Sequence, residues 1–114
     1  MIVHAVLTLD GTVQNLLTAW TAALPATLLG ATSDLPMRAL WLQPRGTNNN
    51  PIYVGATTAV TSSNYGVRLE AGDATDVPPA PFSPGEFGTG PVKPADFYVL
   101  GTVGEFLHIL AVPF

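Results

Sequence analysis

Phe97-Tyr98-Val99-Leu100 is followed, across Gly101-Thr102-Val103-Gly104, by Phe106-Leu107-His108-Ile109-Leu110-Ala111-Val112, and these two stretches decide the fold class. Short runs of aromatic, β-branched and aliphatic residues bounded by glycine are strands, and the glycine-flanked link predicts a hairpin. The second run is apolar on both faces apart from His108. That pattern predicts a central strand covered on both sides.

The same signals recur upstream. Val67-Arg68-Leu69-Glu70 is a short strand between Tyr65-Gly66 and Ala71-Gly72-Asp73. Met37 to Gln43 alternates, with Met37, Ala39 and Trp41 opposite Arg38, Leu40 and Leu42, and a polar turn from Pro44 to Pro51 leads into Ile52-Tyr53-Val54. So close a link predicts a second hairpin. At the N-terminus, Ile2, His4, Val6 and Thr8 alternate with Val3, Ala5, Leu7 and Leu9 until Asp10-Gly11 supplies a turn. Val13, Leu16, Leu17, Trp20 and Leu24 then recur at helical spacing behind Thr12 as a possible N-cap, with Pro25 as the stop. A strand through Thr12 to Leu17 fits these residues nearly as well. Pro25 to Pro36 is a connection of small and polar residues. Roughly six to eight strands and at most one short helix predict an all-β chain, a β-sandwich or jelly-roll-like barrel. At 114 residues the chain has apolar area for one core, so residues 1–114 are read as one domain.

Charged residues make up only 11% of the chain, and the net charge is −4. A neutral exterior of Thr, Asn, Gly, Pro and Ala has little charge repulsion to hold neighbours away, which suits a protein that packs against others. The basic residues Arg38, Arg45, Arg68 and Lys93 are scattered, so no patch is suited to phosphates, and nucleic acid is not an expected partner. Cysteine is absent, so neither disulfides nor thiolate ligands enter the argument. The apolar runs break well before a membrane-spanning length, and Met1 to Asp10 lacks the features of a signal peptide. The expectation is a soluble chain with no membrane partner.

Catalytic and metal signatures are not found. His4 and His108 lie on terminal strands, but neither a His-x-His pair nor a nearby carboxylate in register completes a zinc set. Ser33, Ser62, Ser63 and Ser83 sit in no nucleophile motif, and Gly85-Glu86-Phe87-Gly88-Thr89-Gly90 is not a phosphate loop. Acidic residues next to turn formers, as in Asp10-Gly11 and Gly72-Asp73, are expected to cap backbone donors. No catalytic residue, metal ligand or cofactor is therefore assigned. Among the aromatics, Trp41, Tyr53 and Tyr98 occupy strand positions and are expected in the core. Tyr65 lies in the turn Ser62-Ser63-Asn64-Tyr65-Gly66 and is the ring expected at the surface.

From Val77 to Pro94 the chain holds Pro78, Pro79, Pro81, Pro84, Pro91 and Pro94 interleaved with Gly85, Gly88 and Gly90. Prolines lack the donor a ladder requires, so this segment is expected to be an extended arm without internal ladder bonds. Phe82 and Phe87 within it must fold back or insert into a neighbour. With Tyr65 they are the expected subunit or shell contacts.

Asn50-Pro51-Ile52-Tyr53-Val54-Gly55, then Val60 through Asp73, then Phe97-Tyr98-Val99-Leu100-Gly101 and a final apolar strand resemble the small virion proteins of tailed bacteriophages. The resemblance covers Met37 to Phe114 and rests on a Pro-aliphatic-aromatic-Val-Gly motif followed by a Gly-x-x-Leu-x-x-Gly stretch. It implies a β-sandwich without catalytic residues that decorates the capsid or sits at the head and tail structures. The partners implied are a major capsid protein or other virion proteins, with the chain acting as a homo-oligomer, a trimer among the options, at symmetric positions. The arm from Val77 to Pro94 and the segment from Leu16 to Leu35 depart from the short form of such proteins and suit particle-specific contacts. A second reading is a carbohydrate-binding or receptor-binding module that uses Tyr65 and the Asn48 to Asn50 loop.

Overall fold

In β1 (Val3–Thr8), alternate residues point to opposite faces, and Ala5 and Leu7 go to the core while His4, Val6 and Thr8 stay exposed. The computed structural model describes residues 3–23, 37–72 and 92–113. Within them β1 is followed by β2 (Gln14–Asn15), α1 (Leu16–Ala23), β3 (Met37–Pro44), β4 (Ile52–Gly55), β5 (Val67–Leu69), a 3-10 turn at Pro94–Asp96, β6 (Tyr98–Leu100) and β7 (Phe106–Pro113). The strands form two antiparallel sheets, one ordered β1-β7-β3 and the other β2-β6-β4-β5. The sheets face each other as a sandwich. Leu7, Leu40, Leu42, Leu107 and Ile109 of the first meet Ile52, Val54, Leu69 and Val99 of the second in one buried cluster.

Neither predicted hairpin forms. β6 and β7 lie in different sheets, and so do β3 and β4, so each short glycine- or asparagine-rich link is a corner that carries the chain across the sandwich. The corner before β7 is bound to the end of β1. Leu9 N–H donates to Glu105 O at 2.8 Å, and Gly104 N–H donates to Leu9 O at 2.9 Å. Gly104 holds φ +84°, a left-handed conformation that glycine adopts without a Cβ penalty. Beyond the corner β7 pairs with β1 and β3 while β6 pairs with β2 and β4, so neither strand has an edge left for a hairpin between them.

The stretch after β1 satisfies both of its readings in part. Gln14 and Asn15 pair with Val99 and Tyr98, and the helix begins at the next residue. Its cap is Asn15 rather than Thr12: Asn15 Oδ1 accepts from Leu17 N–H at 3.1 Å and from Thr18 N–H at 3.3 Å. Thr12 instead donates its N–H and its hydroxyl to Asp10 Oδ1, at 2.9 and 2.7 Å. Leu16 and Trp20, one turn apart, are fully buried and fasten the helix to the core. Pro25, the expected stop, lies outside the described residues.

In β3 a register shift between Met37 and Ala39 brings Met37 onto the inward face with Leu40 and Leu42, so simple alternation misplaces it. Met37 also exchanges two backbone hydrogen bonds with Val92, at 2.7 and 2.9 Å. This bridge joins the end of the segment expected to lack internal ladder bonds to β3 rather than to another part of the segment. Val92 belongs to the core cluster and finds both a donor and an acceptor in Met37, and Pro94 is buried as well. Most of the arm, with Phe82 and Phe87, lies outside the described residues.

Candidate interaction surface

Strand β7 is central in its sheet, as expected, but only its inward face is fully buried. Leu107, Ile109 and Ala111 are buried, whereas Leu110 is 41% exposed. The pairing register sets out the opposite face row by row. His4, Leu110 and Trp41 lie across from one another, and the next row is Val6, His108 and Gln43. Thr8 and Phe106 follow, with the Arg45 guanidinium 3.9 Å over the Phe106 ring. Trp41 and Val6 are each 36% exposed. The assignment of Trp41 to the core is thus corrected: with Leu40 and Leu42 turned inward, the pleat leaves Trp41 on the outer face. A shallow recess of about 250 Å³ lies on this face, lined by Trp41, Gln43, His108 and Leu110.

Two polar contacts organise the face. Arg45 Nε–H donates to His108 Nε2 at 3.1 Å, which requires Nε2 to be unprotonated. The guanidinium is thereby held over Phe106. His4 and His108 sit on neighbouring strands in successive rows. Among the described residues no three His, Asp or Glu side chains gather in a cluster that could hold a metal ion.

The outer face of the second sheet is treated differently. Val60 is buried against Gly55, where a Cβ would come within 2.5 Å of its Cγ2, so the loop after β4 folds back over the strand. That loop closes through the Thr61–Asn64 bridge and through Asn64 Nδ2, which donates to Ala59 O at 2.9 Å. Tyr65, at its end, is 42% exposed as expected for the turn, and its ring lies 5.0 Å from that of Tyr53 at 47°. Tyr53 and Tyr98 are half-buried at outward positions rather than in the core cluster.

The Asn48 to Asn50 loop is largely committed to the scaffold. Asn48 is buried and bonds both main-chain groups of Phe106, while the Glu105 carboxylate accepts the N–H groups of Asn49 and Asn50. The structure brings Asn50 and Tyr53 to one groove, and Tyr65 touches that groove's Tyr53. The exposed pair Leu110 and Trp41, with Val6 in the adjoining row, escaped the reading of the sequence. Its signal was present in the alternation of β3, where the leucines and Trp41 fall on opposite faces.

No family model, curated protein or solved structure matches this chain.

Proposed function

We propose that this protein is a structural subunit of a tailed-phage virion, of the capsid-decoration or cement type, and that it binds rather than catalyses. The outer face of the β1-β7-β3 sheet is the surface it applies to the shell. One observation carries this reading: Trp41 and Leu110 stand exposed across from each other on an antiparallel sheet, with Val6 exposed in the adjoining row. A tryptophan flanked by aliphatic groups on a fixed backbone loses little side-chain freedom on docking, and residues of this kind dominate binding energy at interfaces. The low surface charge and the resemblance of Met37 to Phe114 to small virion proteins support the same reading. The partner is then an assembled shell of major capsid protein, and contacts between copies at symmetric positions complete the assembly. Among the described residues no helix is long and apolar enough to cross a membrane.

The test pairs folding with sedimentation. Trp41→Lys and Leu110→Asp change exposed positions and should leave the thermal midpoint nearly unchanged. Each should abolish co-sedimentation with shells that lack the protein. Full binding by both variants would exclude this face as the contact.

A further inference from the structure

At one end of the sandwich the turn after β1, the segment entering β4 and the corner leaving β6 enclose an open groove of about 440 Å³. It shares no residue with the exposed sheet face. Its walls include Asn50, Tyr53, Thr102 and Val103, and Gly11 and Gly101 contribute where side chains are missing. Among the described residues that line it, none is charged. The Glu105 carboxylate is taken up by the N–H groups of Asn49 and Asn50, so the described lining offers an ion little in return for its lost hydration.

We propose that this groove binds a neutral sugar residue of a glycan. Three of its features match what a hexose presents. The first is an aromatic wall: Tyr53 is half-buried, and the Tyr65 ring 5.0 Å away braces it, so the ring is held before any ligand arrives. The second is a set of neutral hydrogen-bonding groups. The Asn50 amide, the Thr102 hydroxyl and the Tyr53 phenol belong to residues that line the groove, and together they offer both donors and acceptors to hydroxyl groups. The third is preorganisation. Asn50 N–H is fixed by the Glu105 carboxylate at 3.1 Å, and a Cβ on Gly101 would come within 2.3 Å of Leu9 Cδ1. Gly11 holds φ +83°, which keeps the opposite wall in a conformation that side-chain-bearing residues rarely adopt.

Binding is read by amide chemical-shift mapping with glucose, galactose and their N-acetylamino forms at millimolar concentration, alongside a glycan array that includes sialylated chains. The expected result is saturable shifts at residues 11, 50, 53 and 101–103, and array binding to neutral glycans. Asn50→Ala and Thr102→Val alter exposed side chains and should keep the thermal midpoint while weakening binding roughly tenfold each. Absence of shifts in the wild-type protein would overturn the proposal. So would undiminished binding in both variants, or a preference for sialylated over neutral chains. Trp41→Lys is the control for the shell-binding face: it should lose shell binding and keep sugar binding, so the two readings fail separately.

Discussion

Asn48 and Phe106 exchange two hydrogen bonds, from Asn48 Nδ2 to Phe106 O at 2.7 Å and from Phe106 N–H to Asn48 Oδ1 at 3.1 Å. The side-chain amide imitates a strand residue and continues the ladder beyond the last backbone pair of β3 and β7, Pro44 with Leu107. Arg45 N–H also donates to Phe106 O, at 3.2 Å, so Phe106 N–H is the group that depends on Asn48. Asn48→Ala should leave that donor unpaired and cost about 1–3 kcal/mol. Urea unfolding measures it, and a variant as stable as the parent would mean that another acceptor takes over.

Ile109 and Leu110 are adjacent in β7 and face opposite ways. Ile109 is buried between the sheets, so Ile109→Asp places an unpaired carboxylate in an apolar layer and should cost several kcal/mol, on the order that unfolds a domain of this size. Leu110→Asp should change stability by less than about 1 kcal/mol. Equal thermal midpoints for the two variants would show that β7 is not one-sided.

The Asp10 carboxyl lies below the ordinary carboxylate range because it accepts the Thr12 hydroxyl and then the Thr12 N–H. A depressed carboxyl contributes stability above its unfolded pKa of about 3.9, and that contribution is lost as pH falls through the lower folded value. Thr12→Val removes the hydroxyl and should move the Asp10 midpoint upward toward the ordinary value. An NMR titration of the carboxyl carbon reads this directly, and no change in midpoint would refute the assigned cause.

Gly101 and Gly104 test the corner in two different ways. Gly101→Ala drives a methyl into the buried side chain of Leu9 and should cost about 1–3 kcal/mol through overpacking. Gly104→Ala meets no atom within 4 Å but must hold φ +84°, at a cost of about 1 kcal/mol. Reducing Leu9 to Ala should partly relieve the first variant and leave the second unaffected. Chemical denaturation of the double variants distinguishes steric from conformational cost.

Strand periodicity was legible where each residue's neighbours are its own chain neighbours. Ala5, Leu7 and Leu9 against His4, Val6 and Thr8, or Leu40 and Leu42 against Trp41, follow from the two-residue repeat of the backbone, which needs no tertiary partner. From such runs the sequence alone determined an all-β class, the strand positions and an exposed Tyr65. The partner of each strand was decided elsewhere. A link such as Gly101 to Gly104 fits a hairpin or a corner equally well, and the choice falls to distant groups: Leu9 claims the main chain of Gly104 and Glu105, and Asn48 claims that of Phe106. The outer face has the same origin. An apolar run in β7 is compatible with cover on one side or two, and it is tertiary packing that buries Ile109 between the sheets while Leu110, Trp41 and Val6 stay exposed. Local sequence sets which way a side chain points, whereas long-range hydrogen bonds and packing set what it meets there.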